Sequence, residues 1–215
     1  MSTDQVETLV MTQLIESKVR KWFQLNNLKR NGSISKQDFT EMSDSFVKEF
    51  TLPEKKANAI RMWMENGWEI LIKKGEEIAA NGGVGGISQE TTPTLLEVGR
   101  KMRENGSMTE QEYVTAFKEL VGVNKNLFVQ TFEAMVGSFF DAFDVNDSGY
   151  LTTENFQRGM KCFGMTHTEA MEMMFEAMDT KKEGKIEKER YISHWVEFMT
   201  GDNKDGVIAQ FLCRM

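Results

Sequence analysis

Apolar side chains recur along this chain at the three- and four-residue spacing of a single helix face. Val136, Phe139, Phe140 and Phe143 form one such stripe. Residues 59–80 form a longer one, with Ile60, Trp63, Met64, Trp68, Leu71 and Ile72 on overlapping faces, interrupted only by Gly67 and Gly75. The pattern stops at the Gly-rich run 81–86, a backbone breaker, and a polar stretch follows to Pro93. Leu95 to Met102 then restarts helical spacing. A Gly-rich run can also cradle phosphate, but no Lys-Ser/Thr follows this one and no β-branched run precedes it, so it reads as a linker.

Between the apolar stripes stands a repeated punctuation. A Gly is followed two positions later by an apolar residue and seven positions later by an aromatic one: Gly32/Ile34/Phe39, Gly106/Met108/Tyr113, Gly149/Leu151/Phe156 and Gly184/Ile186/Tyr191. The Gly marks a sharp turn that a residue without Cβ adopts cheaply. The apolar residue would pair in a short strand with a partner loop, and the aromatic would open the inward face of the exiting helix. This is the punctuation of a helix–loop–helix ion site, and such loops come in twos. Gly149 and Gly184 suit an adjacent pair, whereas Gly32 and Gly106 lie more than twice as far apart, so the first pair carries an insertion. The expected organisation is all-α, with four helix–loop–helix units in two pairs. Residues 1–121 hold the first pair and its Gly-rich insertion at about 81–93, and residues 122–215 hold the second pair and a tail.

A calcium loop supplies oxygens from its first, third, fifth, seventh, ninth and twelfth positions, the last normally a bidentate Glu. Counted from the Gly at position six, the third loop offers Asp144, Asn146, Ser148, the carbonyl of Tyr150, Thr152 and Asn155. Only Asp144 is a carboxylate, and Asn155 is neutral and monodentate, so weak calcium binding or occupancy by magnesium is expected. Glu154 is one residue out of register. In the first loop, residues 27–38, Lys29 stands at position three and Asp38 at twelve. The second, residues 101–112, keeps Glu112 but carries Lys101 and Arg103 where ligands belong. The fourth begins with Asp179 but has Lys181 at position three and Arg190 at twelve. Cations at ligand positions repel a divalent ion at short range. They also stand near retained acids: Lys29 with Asp38, Arg103 with Glu112, and Lys181 or Arg190 with Asp179 and Glu183. Two readings are open for these three loops: side-chain cations closing them in place of metal, or charges simply solvated.

Composition narrows the class. Two prolines in 215 residues favour helices, and a formal charge of −7 provides no phosphate-neutralising surface, which argues against nucleic acid. Two cysteines are too few for a disulfide framework, and Cys162 reads as a small buried residue. The N-terminal stretch lacks a signal-peptide pattern, Ser2 stands where myristoylation needs Gly, the C-terminus is not a prenylation box, and no apolar run spans a bilayer. A cytoplasmic monomer is the expectation. With two His, two Cys and no nucleophile–base arrangement, nothing catalytic is found.

The third repeat, FFDAFDVNDSGYLTTENF, resembles an EF-hand. Residues 19–201, including the aromatic-rich segment from Tyr191 to Phe198, are similar to the invertebrate sarcoplasmic calcium-binding protein and calexcitin group. That resemblance implies two EF-hand pairs packed face to face in one compact body, acting as a cytosolic calcium buffer or signal carrier. The chain departs from the family at nearly every ligand position and in its Gly-rich insertion. The coelenterate photoproteins and luciferin-binding proteins are similar in layout and enclose an apolar ligand between their halves. Met165, Met171, Met173, Met174 and Met178, with Phe175, form a soft apolar surface. Core packing is its first reading; an apolar-ligand cavity, or a groove for a partner helix, are the alternatives. His194 beside Trp195 resembles a photoprotein chromophore contact, though a satisfied helix histidine is the simpler expectation. The leading reading is a non-enzymatic calcium-binding module with at most one weak site. Its rivals are a calcium-independent carrier of an apolar small molecule and a regulator that binds a partner helix.

Overall fold

Local chemistry sets several of the helix boundaries. The computed structural model describes residues 9–80, 106–123 and 125–213. Helix α1 (Gln13–Asn26) starts at Thr12, whose hydroxyl accepts from the Ile15 amide at 3.2 Å, meeting one of the N–H groups that a helix start leaves unpaired. Strand β1 (Ser33–Ser35) leads into α2 (Lys36–Phe50) through a reciprocal cap. The Asp38 amide donates to Ser35 Oγ at 3.2 Å, and the Ser35 amide donates to Asp38 Oδ2 at 2.7 Å. Thr51 takes a left-handed conformation (φ 49°) that ends α2. Helix α3 (Glu54–Ala80) follows at once, the Ala57 amide donating to the Pro53 carbonyl at 3.0 Å. The helix expected over 59–80 is present and begins already at Glu54, because Pro53 favours a helix start. The linker at about 81–93 and the helix start at 95–102 lie outside the described residues.

The chain continues through β2 (Ser107–Thr109), α4 (Glu110–Val123), α5 (Lys125–Phe143), β3 (Tyr150–Leu151), α6 (Thr153–Cys162), α7 (Thr168–Met178), β4 (Ile186–Glu187), α8 (Lys188–Thr200) and α9 (Val207–Leu212). The repeat predicted which residues meet across each pair of loops. Strands β1 and β2 are antiparallel with Ile34 opposite Met108, and β3 and β4 are antiparallel with Leu151 opposite Ile186. All four apolar residues are buried. Gly32, Gly106, Gly149 and Gly184 have φ of +81°, +64°, +81° and +72°, the conformation for which their missing Cβ was invoked. Tyr113, Phe156 and Tyr191 are buried as the pattern requires, and Phe39 is partly so.

The core joins the two pairs. The Phe46 ring of α2 lies with its centroid 5.3 Å from Phe139 and 5.6 Å from Phe143 on α5, and 4.8 Å from Phe163 beyond α6. Such tilted and offset ring contacts each add favourable quadrupole geometry to the apolar burial. Met165, Met171, Met174 and Met178 are core residues, so the first reading of the Met-rich segment holds, while Met173 is exposed. Helix α9 covers α7 and α8 with Ile208, Ala209 and Leu212. Cys162 is buried and both cysteines are free thiols. No described helix is long and apolar enough to cross a membrane.

Candidate metal centre

Three of the four loops share one backbone. Arg30, Asp147 and Lys182, each at the fourth loop position, have φ of 50°, 51° and 55°, and a left-handed Gly follows two residues later. In each, the first side chain folds the loop by accepting its amides. Asn27 Oδ1 accepts from Asn31 N at 3.3 Å. Asp144 accepts from Ser148 N at 3.0 Å on Oδ1 and from Gly149 N at 2.7 Å on Oδ2. Asp179 accepts from Glu183 N at 3.1 Å and Gly184 N at 2.6 Å. Burial pushes the Asp179 carboxyl up, but these and neighbouring amides outweigh it and hold the group below the usual carboxylate range.

The third loop gathers part of the predicted donor set. Ser148 Oγ stands 2.8 Å from Asp144 Oδ1 and 3.1 Å from the Tyr150 carbonyl oxygen, so the donors of positions one, five and seven converge. All are hard oxygens, the chemistry that suits Ca²⁺ or Mg²⁺. Thr152 instead caps α6, its hydroxyl accepting from the Asn155 amide at 3.3 Å. Asn155 Oδ1 accepts from Arg158 Nη1 at 3.4 Å, which turns the twelfth-position oxygen toward a cation of its own chain. Asn146 and Glu154 are exposed. Among the described residues no cluster of three or more His, Cys, Asp or Glu forms a metal site, in keeping with the single carboxylate of this loop. The residues present fit an oxygen-seeking cation at three positions and leave the closing position engaged elsewhere.

The cations of the other loops differ in where they go. In the first loop Lys29 Nζ lies 2.8 Å from Asp38 Oδ1, so a side-chain ammonium joins position three to position twelve, as an ion would. Burial raises the Asp38 carboxyl, but Lys29 and the Ser35 hydrogen bonds together bring it below its ordinary value. In the fourth loop the expected partners are wrong. Lys181 pairs with Glu187 at 2.8 Å, Glu183 with Lys185 at 3.1 Å, and Arg190 donates to the Thr180 hydroxyl, because Asp179 is already saturated by backbone amides. In the second loop Glu112 accepts from the Thr109 amide and hydroxyl, both at 2.9 Å, while Lys101 and Arg103 lie outside the described residues.

Sequence reasoning missed two residues at the third loop. Lys56, at the start of α3, donates to the Asp144 carbonyl at 3.0 Å across a separation of 88 residues. It also donates to Asp147 Oδ1 at 2.7 Å. Arg158 is the other, and neither carries a sequence signal, because their role depends on packing.

Between the two pairs lies a cavity of about 110 Å³, lined by Trp22 and Trp63 of the first pair and Phe128, Thr131 and Phe139 of α5, among others. The Thr131 hydroxyl is buried beside it without a hydrogen-bond partner among the described residues. The methionines along it are Met64, Met135 and Met199, not those singled out in the sequence. His194 is half-buried and its Nε2 finds no hydrogen-bond partner among the described residues, against the expectation of a satisfied histidine; burial, with Arg190 nearby, lowers its pKa.

An EF-hand domain-pair family model matches residues 133–194. The fold is an EF-hand fold. Among solved structures, the calcium-loaded apo form of the coelenterazine-binding protein from Renilla muelleri aligns with a TM-score of 0.57 at 16% identity, covering 94% of this chain and 98% of that one. Calcium-loaded apo-aequorin from Aequorea victoria gives 0.60 at 14%, covering 89% and 93%. A Streptomyces coelicolor calcium-binding protein gives 0.56 at 17%, covering 88% and 99%. No curated protein matches the sequence. At these identities the likeness establishes the EF-hand fold, and the ion capacity of this chain rests on its own residues.

Proposed function

We propose that this chain is a non-enzymatic, largely degenerate EF-hand module with one weak divalent-ion site in its third loop, working as a cytosolic calcium-binding or signalling protein. The site consists of Asp144, Asn146, Ser148, Tyr150, Thr152 and Asn155, and takes Ca²⁺ or Mg²⁺. The observation that carries this reading is the convergence of the Asp144, Ser148 and Tyr150 oxygens in a loop whose ligand positions hold no cation. Asp144 would supply the only ligand charge, which places Kd on the order of 10⁻⁴–10⁻³ M, the weak end of EF-hand sites. Asp144→Asn provides the test. Asn27 performs the same amide-accepting task in the first loop, so the variant retains a folded loop while losing the charge. Calorimetric titration is expected to give one binding event in the wild type and none in Asp144→Asn. Equal binding by both would sink the assignment.

The cavity favours a second reading, a carrier of an apolar small molecule; the named neighbours include a coelenterazine-binding protein of similar layout. A space of about 110 Å³ holds a ring-sized group rather than an extended ligand, unless side chains move. An environment-sensitive aromatic dye bound equally with and without calcium supports this carrier. Dye binding only after calcium supports instead a sensor that opens to a partner helix. The division into residues 1–121 and 122–215 belongs to both readings.

A further inference from the structure

The third loop is held at both ends by cations that tie it to the first EF-hand pair. Lys56 of α3 bonds the carbonyl of Asp144 at the loop's start and the carboxylate of Asp147. Its side chain is 18% exposed, so the ammonium is drawn partly out of water to make these bonds. At the loop's end, Arg158 donates to Asn155 Oδ1 at 3.4 Å while its Nε donates to Glu49 Oε1 at 2.8 Å and its Nη2 to the Glu49 carbonyl. The same guanidinium lies over the Phe50 ring, with Cζ 4.7 Å from the centroid. Glu49 and Phe50 close α2, where helix carbonyls favour a cation.

We propose that Lys56 and Arg158 set the ion affinity of the third loop, and that filling this loop works against the seam joining it to α2 and α3. The proposal rests on the ion-site reading above. Asn155 Oδ1 is the oxygen the twelfth position would give to the ion, and it is the oxygen Arg158 holds. Coordination therefore competes with that hydrogen bond for the same oxygen and sets the guanidinium charge against the ion, shifting the anchoring of Arg158 toward Glu49 and Phe50. Lys56 opposes the ion differently: it holds a positive charge on the Asp144 carbonyl and the Asp147 carboxylate within the same loop, and a divalent ion in that loop meets direct Coulomb repulsion. Linkage makes the effect reciprocal, so whatever loosens the seam strengthens ion binding, and ion binding loosens the seam.

The test is titration of the full chain with Ca²⁺ and with Mg²⁺ in the wild type, Lys56→Gln, Arg158→Gln and Arg158→Lys, each with and without Asp144→Asn. Amide exchange at residues 46–50 is followed alongside. Lys56→Gln is expected to raise affinity about tenfold and Arg158→Gln several-fold, with both gains abolished by Asp144→Asn. Arg158→Lys keeps the charge and the fold while losing the fork, and gives an intermediate gain. In the wild type, exchange at the end of α2 speeds up on saturation with ion. Wild-type binding that is lost in Asp144→Asn, yet unchanged within twofold by the Lys56 and Arg158 variants, overturns the clamp and leaves the ion site standing. Unaltered exchange at 46–50 on saturation does the same. No binding by any of the proteins, or binding that survives Asp144→Asn, overturns both.

Discussion

At the scale of single residues, the first loop is closed by an ion pair between its own third and twelfth positions. Lys29 spans positions three and twelve, and the 2.8 Å contact with buried Asp38 joins the entering turn to the exiting helix. Asp38 has a carboxyl pKa lowered by folding, so its contribution to stability is full above about pH 4 and is lost as pH falls through the depressed folded value. Lys29→Met removes one source of that depression. Thermal unfolding followed from neutral to acidic pH should show the variant less stable than wild type above about pH 4, with the two curves closing as Asp38 is protonated. Parallel curves down to low pH would separate Lys29 from Asp38. Ser35 remains in the variant as the second partner of the carboxylate, which keeps the α2 cap intact.

At the scale of elements, the third helix–loop–helix unit depends on close approach of α5 and α6. A Cβ on Gly159 of α6 would overlap the Phe143 ring of α5. That ring has no freedom to swing aside, being fully buried and stacked on Phe50 at 5.3 Å and Phe46 at 5.6 Å. Overpacking of this kind costs about 1–3 kcal/mol, against about 1 kcal/mol gained by placing Ala in a helix. Gly159→Ala is therefore expected to lower the urea midpoint with an unchanged m-value; a rise in stability would mean the helices separate freely. Phe143 directly precedes Asp144, so the same close contact positions the residue that opens the third loop.

At the scale of the whole molecule, charge as well as apolar packing joins distant parts of the chain. Lys18 of α1 is fully buried, donates to the Gly201 carbonyl at 3.0 Å and lies 3.4 Å from Glu197 Oε1 on α8. A buried charge deprived of its partner is costly, so Lys18→Met should destabilise by on the order of 2 kcal/mol. Chemical denaturation of Lys18→Met and of Lys18→Met with Glu197→Gln measures the coupling: the second change should recover part of the loss. If it recovers nothing, the lysine acts through packing alone. Trp63 on α3 adds a neutral tie, its indole N–H donating to Ser138 Oγ on α5 at 3.0 Å beside the cavity.

The loops were legible in the sequence because their information is local. A Gly at a left-handed position, an apolar strand residue two places later and an aromatic seven places later are set by covalent spacing, and Ile34–Met108 and Leu151–Ile186 pair accordingly. The same counting placed Lys29 opposite Asp38. It failed in the fourth loop, where backbone amides had already filled Asp179 and left Lys181 to Glu187. It also failed for Lys56 and Arg158, whose contacts with the third loop and with Glu49 join residues far apart in the chain. The sequence alone determined a four-loop EF-hand architecture and which loop carries oxygen side chains, free of cations, at its first, third and fifth positions. Tertiary structure alone decided that the loop's closing oxygen is held by a guanidinium and that its methionine-rich neighbour is core. Periodicity specifies which face of an element is apolar, but only packing brings that face, and the charges beside it, against a particular partner.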